Sequence, residues 1–407
     1  MQMTPALKRF IRDHAAEDTA KLLLASSRYP GIDVPFAVEQ ILARRQIRDK
    51  LPEWYANDDL IYPSRLAAEQ CSSEPTARYK QRLLLGTACC DLTGGLGVDS
   101  YYFSRRPGTA VTYIERHPLY CEAARHNFAA LRAPGIRILN ADARNLLRDL
   151  RTDTCYADPA RRTDTCYADP ARRADSNRRV FALADCEPDI LQLKPLLLEN
   201  ARRLIVKISP MADIGETLRL LPETREVHVI SARNECKELL FLLEGDSPSP
   251  SAPLIHAIDL HPGTPDTLPF TFTLPEEKEA PLSTADAVGA YLYEPHAALL
   301  KSGAFKLTAL RHDTPKLHRH SHLYTSDTLI ADFPGRRFRV TDTLDFSGKL
   351  LKQLAARLPQ ANLTVRNFPL TVAELRARSR IREGGTLYLF ATTLADERKI
   401  LILTEKA

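Results

Sequence analysis

Asp91-Leu92-Thr93-Gly94-Gly95-Leu96-Gly97-Val98-Asp99-Ser100 follows a short apolar segment, Ala88-Cys89-Cys90, and opens into a helix-like stretch, Val98 to Arg105. A strand, a turn with three glycines in four positions and a helix, in that order, let backbone approach a ligand closely, because glycine has no Cβ to stand in the way. Asp91 sits at the strand's carboxyl end, three residues before the first glycine. A carboxylate there suits a cationic or hydroxyl-rich ligand better than a phosphate. The turn lacks both the GxGxxG spacing of dinucleotide sites and the lysine of a phosphate-binding loop. The expected ligand is therefore S-adenosyl-L-methionine, held by Asp91, Thr93, Gly94, Gly95 and Gly97. A tight turn that binds nothing is the alternative.

The next segments keep the same rhythm. Ala110 to Ile114 reads as a second strand and ends in Glu115, where a doubly wound sheet holds ribose hydroxyls. A helix, Tyr120 to Leu131, precedes a third strand, Ile136 to Leu139, and then Asn140-Ala141-Asp142. Asp142 is placed to accept a hydrogen bond from an adenine amino group. Each acid alone reads as a helix cap or a solvated loop residue sooner than as a ligand contact; three at successive strand ends, in phase with strand-helix alternation, are harder to dismiss.

A fourth strand ends in Ala157-Asp158-Pro159-Ala160-Arg161-Arg162, which resembles motif IV of class I S-adenosylmethionine-dependent methyltransferases. The resemblance implies that the carboxylate and the rigid proline turn face the atom to be methylated, with Arg161 beside the substrate. Ala160 and Arg161 replace the second proline and the aromatic ring of the Asn/Asp-Pro-Pro-Tyr form, so the motif looks closer to the Asp-Pro-Pro-Arg variants of RNA methyltransferases. The eleven residues Thr152 to Arg162 recur unchanged as Thr163 to Arg173. Only one copy can be the fourth strand. A short connection from the preceding helix favours Asp158-Pro159, leaving Asp169-Pro170 as the alternative pair.

Arg203 to Ile208 reads as a fifth, buried parallel strand, and Glu226 to Ser231 with Lys237 to Leu243 as a terminal pair. The expected core is thus an α/β, Rossmann-like seven-stranded sheet over residues 81–245. Residues 1–80 read as a helical N-terminal domain, with a capping serine at Ser72 or Ser73. Residues 246–284, rich in Pro, Ser and Thr, read as a linker. An α+β module follows, including a helix from His296 interrupted at Gly303 and a strand over Thr328–Asp332.

No apolar run approaches the ~18 residues of a membrane span, and the eight cysteines lack paired metal spacing. That pattern fits a reducing cytoplasm and no resident metal. His318, His320 and His322 alternate, but no further ligand lies near them in the sequence. From His296 onward there are 19 Lys and Arg against 10 Asp and Glu, net +9, while the whole chain carries +5. A basic appendage on a near-neutral body points to a polyanion, with Arg336, Arg337 and Arg339 as candidate contacts.

Together, DLTGGLGVD, YIERHP, DPARR, LADCEPD, KISPM, ARNECKELL, SHLYTS, RNFP and GGTLYLFAT resemble a bacterial family of class I methyltransferases with a C-terminal THUMP-like domain. The likeness covers nearly all of the chain, including EQCSSE at residues 69–74. It implies a small ferredoxin-like segment at 285–327 and a THUMP-like domain at 328–407. It also implies methylation of a base nitrogen in tRNA or rRNA, since THUMP domains bind RNA. Thr93 departs from the family pattern, standing where many methyltransferases place the first glycine of the turn. The competing expectation is a non-catalytic RNA-binding or assembly protein on the same fold.

Overall fold

The computed structural model describes residues 3–161, 183, 186–245, 252–261 and 268–407, without the side chains of residues 160, 161 and 352. The chain forms two units: Met1–Val227 with Glu238–Ser251 and Leu260–Gly263, and His228–Lys237 with Ala252–Asp259 and Thr264–Ala407.

The first unit begins with six helices, α1 (Pro5–Asp13), α2 (Thr19–Leu24), α3 (Val34–Ile47), α4 (Pro52–Tyr55), α5 (Arg65–Gln70) and α6 (Glu74–Arg82). Their starts are chemically marked. Thr4, Asp18, Asp33, Ser64 and Ser73 each accept a backbone N–H with the side chain, and prolines occupy first turns where no N–H is needed. Leu7, Phe10 and Ile11 of α1 pack against Val38 and Ile41 of α3. Of the two serines expected to cap α6, Ser73 does so, and Ser72 turns inward.

The sheet is built from β1 (Ala88–Asp91), β2 (Ala110–Glu115), β3 (Ile136–Asn140), β4 (Thr152–Ala157), β7 (Ala201–Ile208), β8 (Thr224–Ala232) and β9 (Glu235–Leu243). The two-residue strands β5 (Ala160–Arg161) and β6 (Cys186–Glu187) pair antiparallel with each other in a separate ribbon. Between the strands lie α7 (Val98–Ser104), α8 (Pro118–Ala130), α9 (Ile190–Asn200) and α10 (Ile214–Leu220). The order β3-β2-β1-β4-β7-β9-β8 puts β1 at a switch point, with β2 on one side and β4 on the other. Ligands of doubly wound sheets bind at such a crevice, outside the strands' carboxyl ends. β9 runs antiparallel to β7. Arg233 and Asn234 both take positive φ between β8 and β9, as a tight type I′ hairpin requires.

The second unit contains β10 (Leu254–Leu260), which lies beside β8, and β11 (Phe270–Phe272), paired antiparallel to β10. The sheet therefore has nine strands where seven were expected, and the added pair comes from the stretch read as a linker. Ile255, Ala257, Ile258 and Phe272 are buried there, a signal submerged in the surrounding Pro, Ser and Thr. A short helix, α11 (Leu274–Glu279), follows.

A second sheet is formed by β12 (Tyr291–Pro295), β13 (Tyr324–Ser326), β14 (Gly335–Asp345), β15 (Asn362–Val365), β16 (Leu387–Thr393) and β17 (Lys399–Lys406), in the order β13-β12-β14-β17-β16-β15. Its helices are α12 (Ala297–Ser302), α13 (Phe305–His312), α14 (Gly348–Arg357) and α15 (Val372–Ser379). Gly303, at φ +84°, closes α12, which is why one expected helix is two. The strand expected at Thr328–Asp332 forms earlier, at β13, because Tyr293 donates its hydroxyl proton to the Thr328 carbonyl and accepts the Ile330 N–H, holding that stretch as a turn. Among the described residues no helix is long and apolar enough to cross a membrane.

Candidate active site

The glycine turn is demanded partly by packing. Gly95 and Gly97 adopt φ of +54° and +87°, open to glycine without steric cost. A Cβ at Gly94 would enter the Tyr113 ring of β2, and one at Gly97 the Phe128 ring of α8. Of the three, Gly95 faces the freest space, with nothing nearer a Cβ than the Thr93 carbonyl oxygen at 3.7 Å. Gly95 is therefore the least confined of the three, and its glycine is required by backbone conformation rather than by packing.

The three strand-end acids differ sharply in what they do. Asp91 is 1% exposed. Its carboxylate accepts the Thr93 N–H at 3.1 Å and the Ser100 hydroxyl at 2.6 Å. Burial pushes it up to about 7, and Asp99 and Asp158 add to the rise against those two hydrogen bonds. Among the described residues no cation pairs with it, so a cationic ligand group would complete this site. Glu115 ties the turn to β2, accepting the Gly95 N–H at 3.0 Å and the His117 N–H at 2.8 Å. Tyr113 seals the same corner by donating to the Gly95 carbonyl at 2.6 Å. Asp142 is engaged by Arg144, which contacts both of its carboxylate oxygens. That side-chain hydrogen bond holds Asp142 below the usual carboxylate range.

The first copy of the repeat forms β4, in parallel register with β1 and β7, so Asp158-Pro159 follows the fourth strand. Asp169 and Pro170 lie outside the described residues, as does the side chain of Arg161. Thr93, the residue that departed from the family pattern, has a use here: its hydroxyl accepts the Asp158 N–H at 2.8 Å. A glycine could not make that bond. The Asp158 carboxylate, 38% exposed, meets the Lys207 ammonium of β7 at 2.5 Å, with Lys207 itself 14% exposed.

Behind this pair lies a buried polar network that the sequence reading missed. Lys80 of α6, fully buried, donates to Ser72 at 2.6 Å and pairs with Asp99 at 2.8 Å and Glu238 of β9 at 3.4 Å. Asp99 also accepts the hydroxyls of Ser72 at 2.8 Å and Tyr156 at 2.9 Å. Burial works against ionisation of Asp99, but Lys80, Lys207 and Ser72 outweigh it and hold Asp99 below its usual range. Burial would likewise lower Lys207; Asp158, Glu238 and Asp99 overcome it and keep the ammonium well above the usual lysine range. Glu238 is raised by burial, against the pull of Lys80 and Lys207. One signal was legible: Arg203 to Ile208 is apolar from Leu204 to Val206 and then carries a lysine, which a buried parallel strand admits only with a partner.

In the second unit, the candidate RNA-contacting arginines are already engaged. Glu294, 1% exposed, holds Arg336 on one oxygen and Arg366 on the other, the latter at 2.8 Å. Arg337 donates to the Ala331 carbonyl, and Arg339 pairs with Glu405 at 2.8 Å on the surface. His318 contacts Glu397 at 3.2 Å and Asn367 at 2.8 Å, while His322 stacks on Phe305 at 3.6 Å between centroids.

Residues 291–334 match the model of a ferredoxin-like domain family, and residues 335–406 that of a THUMP domain-like family. No curated protein matches the chain. Among solved structures, the chain is similar to a protein from Porphyromonas gingivalis W83 provisionally assigned as a methyltransferase. The identity is 38% over 99% of this chain and 98% of that one, with a TM-score of 0.86. A much weaker likeness, 20% identity over 44% of this chain and 51% of the other with a TM-score of 0.31, joins it to TrmN from Thermus thermophilus.

Proposed function

Because the chain belongs to the class I methyltransferase family that carries a C-terminal THUMP-like domain, we propose that it transfers the methyl group of S-adenosyl-L-methionine to a base nitrogen of tRNA or rRNA. The observation that carries this reading is Asp91: a buried carboxylate at the end of β1, with no cation paired to it among the described residues and its oxygens turned to the Thr93 N–H and the Ser100 hydroxyl at the start of the glycine turn and its helix. S-adenosyl-L-methionine supplies an activated methyl on a sulfonium. The protein's own task is then alignment more than acid-base work. Asp91 receives the ammonium of the cofactor's methionine end. The glycine turn lets backbone approach the cofactor closely, and Glu115 keeps spare lone pairs for ribose hydroxyls. Asp142, after the third strand, would hold the adenine. Asp158 and Pro159 face the acceptor. Reduced cysteines such as Cys89, Cys90 and Cys155 fit a reducing, cytoplasmic setting.

The cofactor half is tested by calorimetry with S-adenosylhomocysteine. Affinity rises as pH goes from 6 to 8, since Asp91, with its value near 7, must be ionised to hold an ammonium. Asp91→Ala lowers affinity by about 1–3 kcal/mol and removes that pH dependence. An unchanged pH profile in the variant overturns the assignment of Asp91.

The RNA half is tested by salt. Binding to RNA weakens steeply with ionic strength, as counterion release requires. Replacing Arg337 and Arg339 together flattens the log-log slope by up to about two units. Arg336→Ala leaves the slope alone and loosens the fold, because Arg336 is committed to Glu294. RNA affinity that is indifferent to salt would remove the second unit from recognition.

A further inference from the structure

Resting on the methyl-transfer reading above, we propose that the acceptor is a lactam ring nitrogen, the N–H beside a carbonyl in guanine, hypoxanthine or uracil. Asp158 takes its proton and Lys207 holds the carbonyl oxygen. The two side chains meet at 2.5 Å and are both partly open, so they present an acceptor and a donor side by side. A lactam edge offers the complementary donor and acceptor.

Charge development decides between acceptor classes. An exocyclic amine attacks a sulfonium as a neutral nucleophile and gains positive charge as the new bond forms. An ammonium in contact with the motif's carboxylate opposes that build-up. A lactam nitrogen attacks after losing its proton, and the resulting negative charge spreads onto the neighbouring carbonyl oxygen. Lys207 stabilises that charge in a largely desolvated place, where a preorganised cation acts most strongly. The step balances: the ring N–H proton passes to Asp158, the nitrogen's electron pair forms the N–CH3 bond, and the C–S pair returns to sulfur, giving a neutral thioether. No oxidant or reductant enters.

The surroundings fix Lys207 as a cation. Asp158 beyond β4, Asp99 of α7 and Glu238 of β9 act on it as opposite charges. Lys50, just before α4, is the like charge that feels it, and Cys71 also interacts with it. Lys80 neutralises the far side of Asp99 and Glu238. Lys207 is thus charged whether or not substrate is present, and its role is to select and stabilise rather than to exchange a proton.

Nucleoside mass spectrometry of RNA from a strain lacking the gene, compared with the parent, names the acceptor. Turnover of the full-length Lys207→Met and Lys207→Arg proteins on that RNA, from pH 6 to 9, tests the residue. A lost ring-nitrogen methylation on a lactam base is expected. Lys207→Met should be about 10²–10³-fold slower at neutral pH, with the deficit shrinking as pH rises and ionises the acceptor unaided. Lys207→Arg should recover part of the rate. S-adenosylhomocysteine affinity, measured in parallel, should stay near the parent's; if Lys207→Met fails to fold, the nucleoside identity and Lys207→Arg decide. A lost exocyclic-amine, carbon or ribose methylation, or a pH-independent deficit, overturns this proposal while leaving RNA methylation standing. No missing RNA methyl group overturns both.

Discussion

Lys80→Met lowers the stability of the full-length protein by about 3–5 kcal/mol, the cost of stripping one partner from a buried ionic cluster. Lys80 is fully buried and is the shared partner of Asp99 and Glu238. Methionine fills the volume of the stem, so lost packing contributes little. The damage comes from two carboxylates left in a dry setting with Ser72, Tyr156 and Lys207 as remaining support. Urea unfolding measures it directly. Adding Glu238→Leu should restore part of the loss, because one uncompensated charge disappears. A single variant within 1 kcal/mol of the parent would mean that water reaches the cluster and the buried network is not what holds α6 to the sheet.

Asp158→Asn slows methyl transfer by about 10²–10⁴-fold, the range of a lost general base. Binding of S-adenosylhomocysteine survives, because Asp91, Gly95 and Glu115 are untouched. The amide keeps the Asp158 backbone N–H on Thr93, so the turn stays in place. Asp169→Ala, in the second copy of the repeat, leaves the rate unchanged. Single-turnover assays on the identified RNA distinguish these outcomes. Equal and small effects in both variants would favour a non-catalytic protein on this fold.

The strand-turn-helix at Asp91 to Ser104 was legible in the sequence because glycine spacing and apolar periodicity are local properties. The acids at the strand ends were legible for the same reason. Their present partners were not: nothing in the local pattern shows that Asp142 is gripped by Arg144, or that Arg336 is drawn down onto Glu294. Net charge counted those arginines as free for RNA, although a buried carboxylate commits two of the module's cations. β10 and β11 were hidden by composition, because prolines, serines and threonines around them outweigh a strand pattern of seven residues and another of three. Lys207, Lys80 and Glu238 were missed for a deeper reason. Their meaning is a mutual one, set by contacts between positions up to 158 residues apart, which no window of sequence contains.

The position of β9 constrains how the chain is made. It sits between β7 and β8, though both precede it in the sequence. The β8–β9 hairpin can dock on β7 as one piece, and the ammonium of Lys80 meets Glu238 only when it does. Docking of β9 on β7 brings Glu238 to a lysine 158 residues earlier in the chain, a non-local contact of the kind that slows folding. A chain cut before Glu238 would carry the glycine turn and the Asp158 motif but would leave Lys80 without one of its two carboxylate partners.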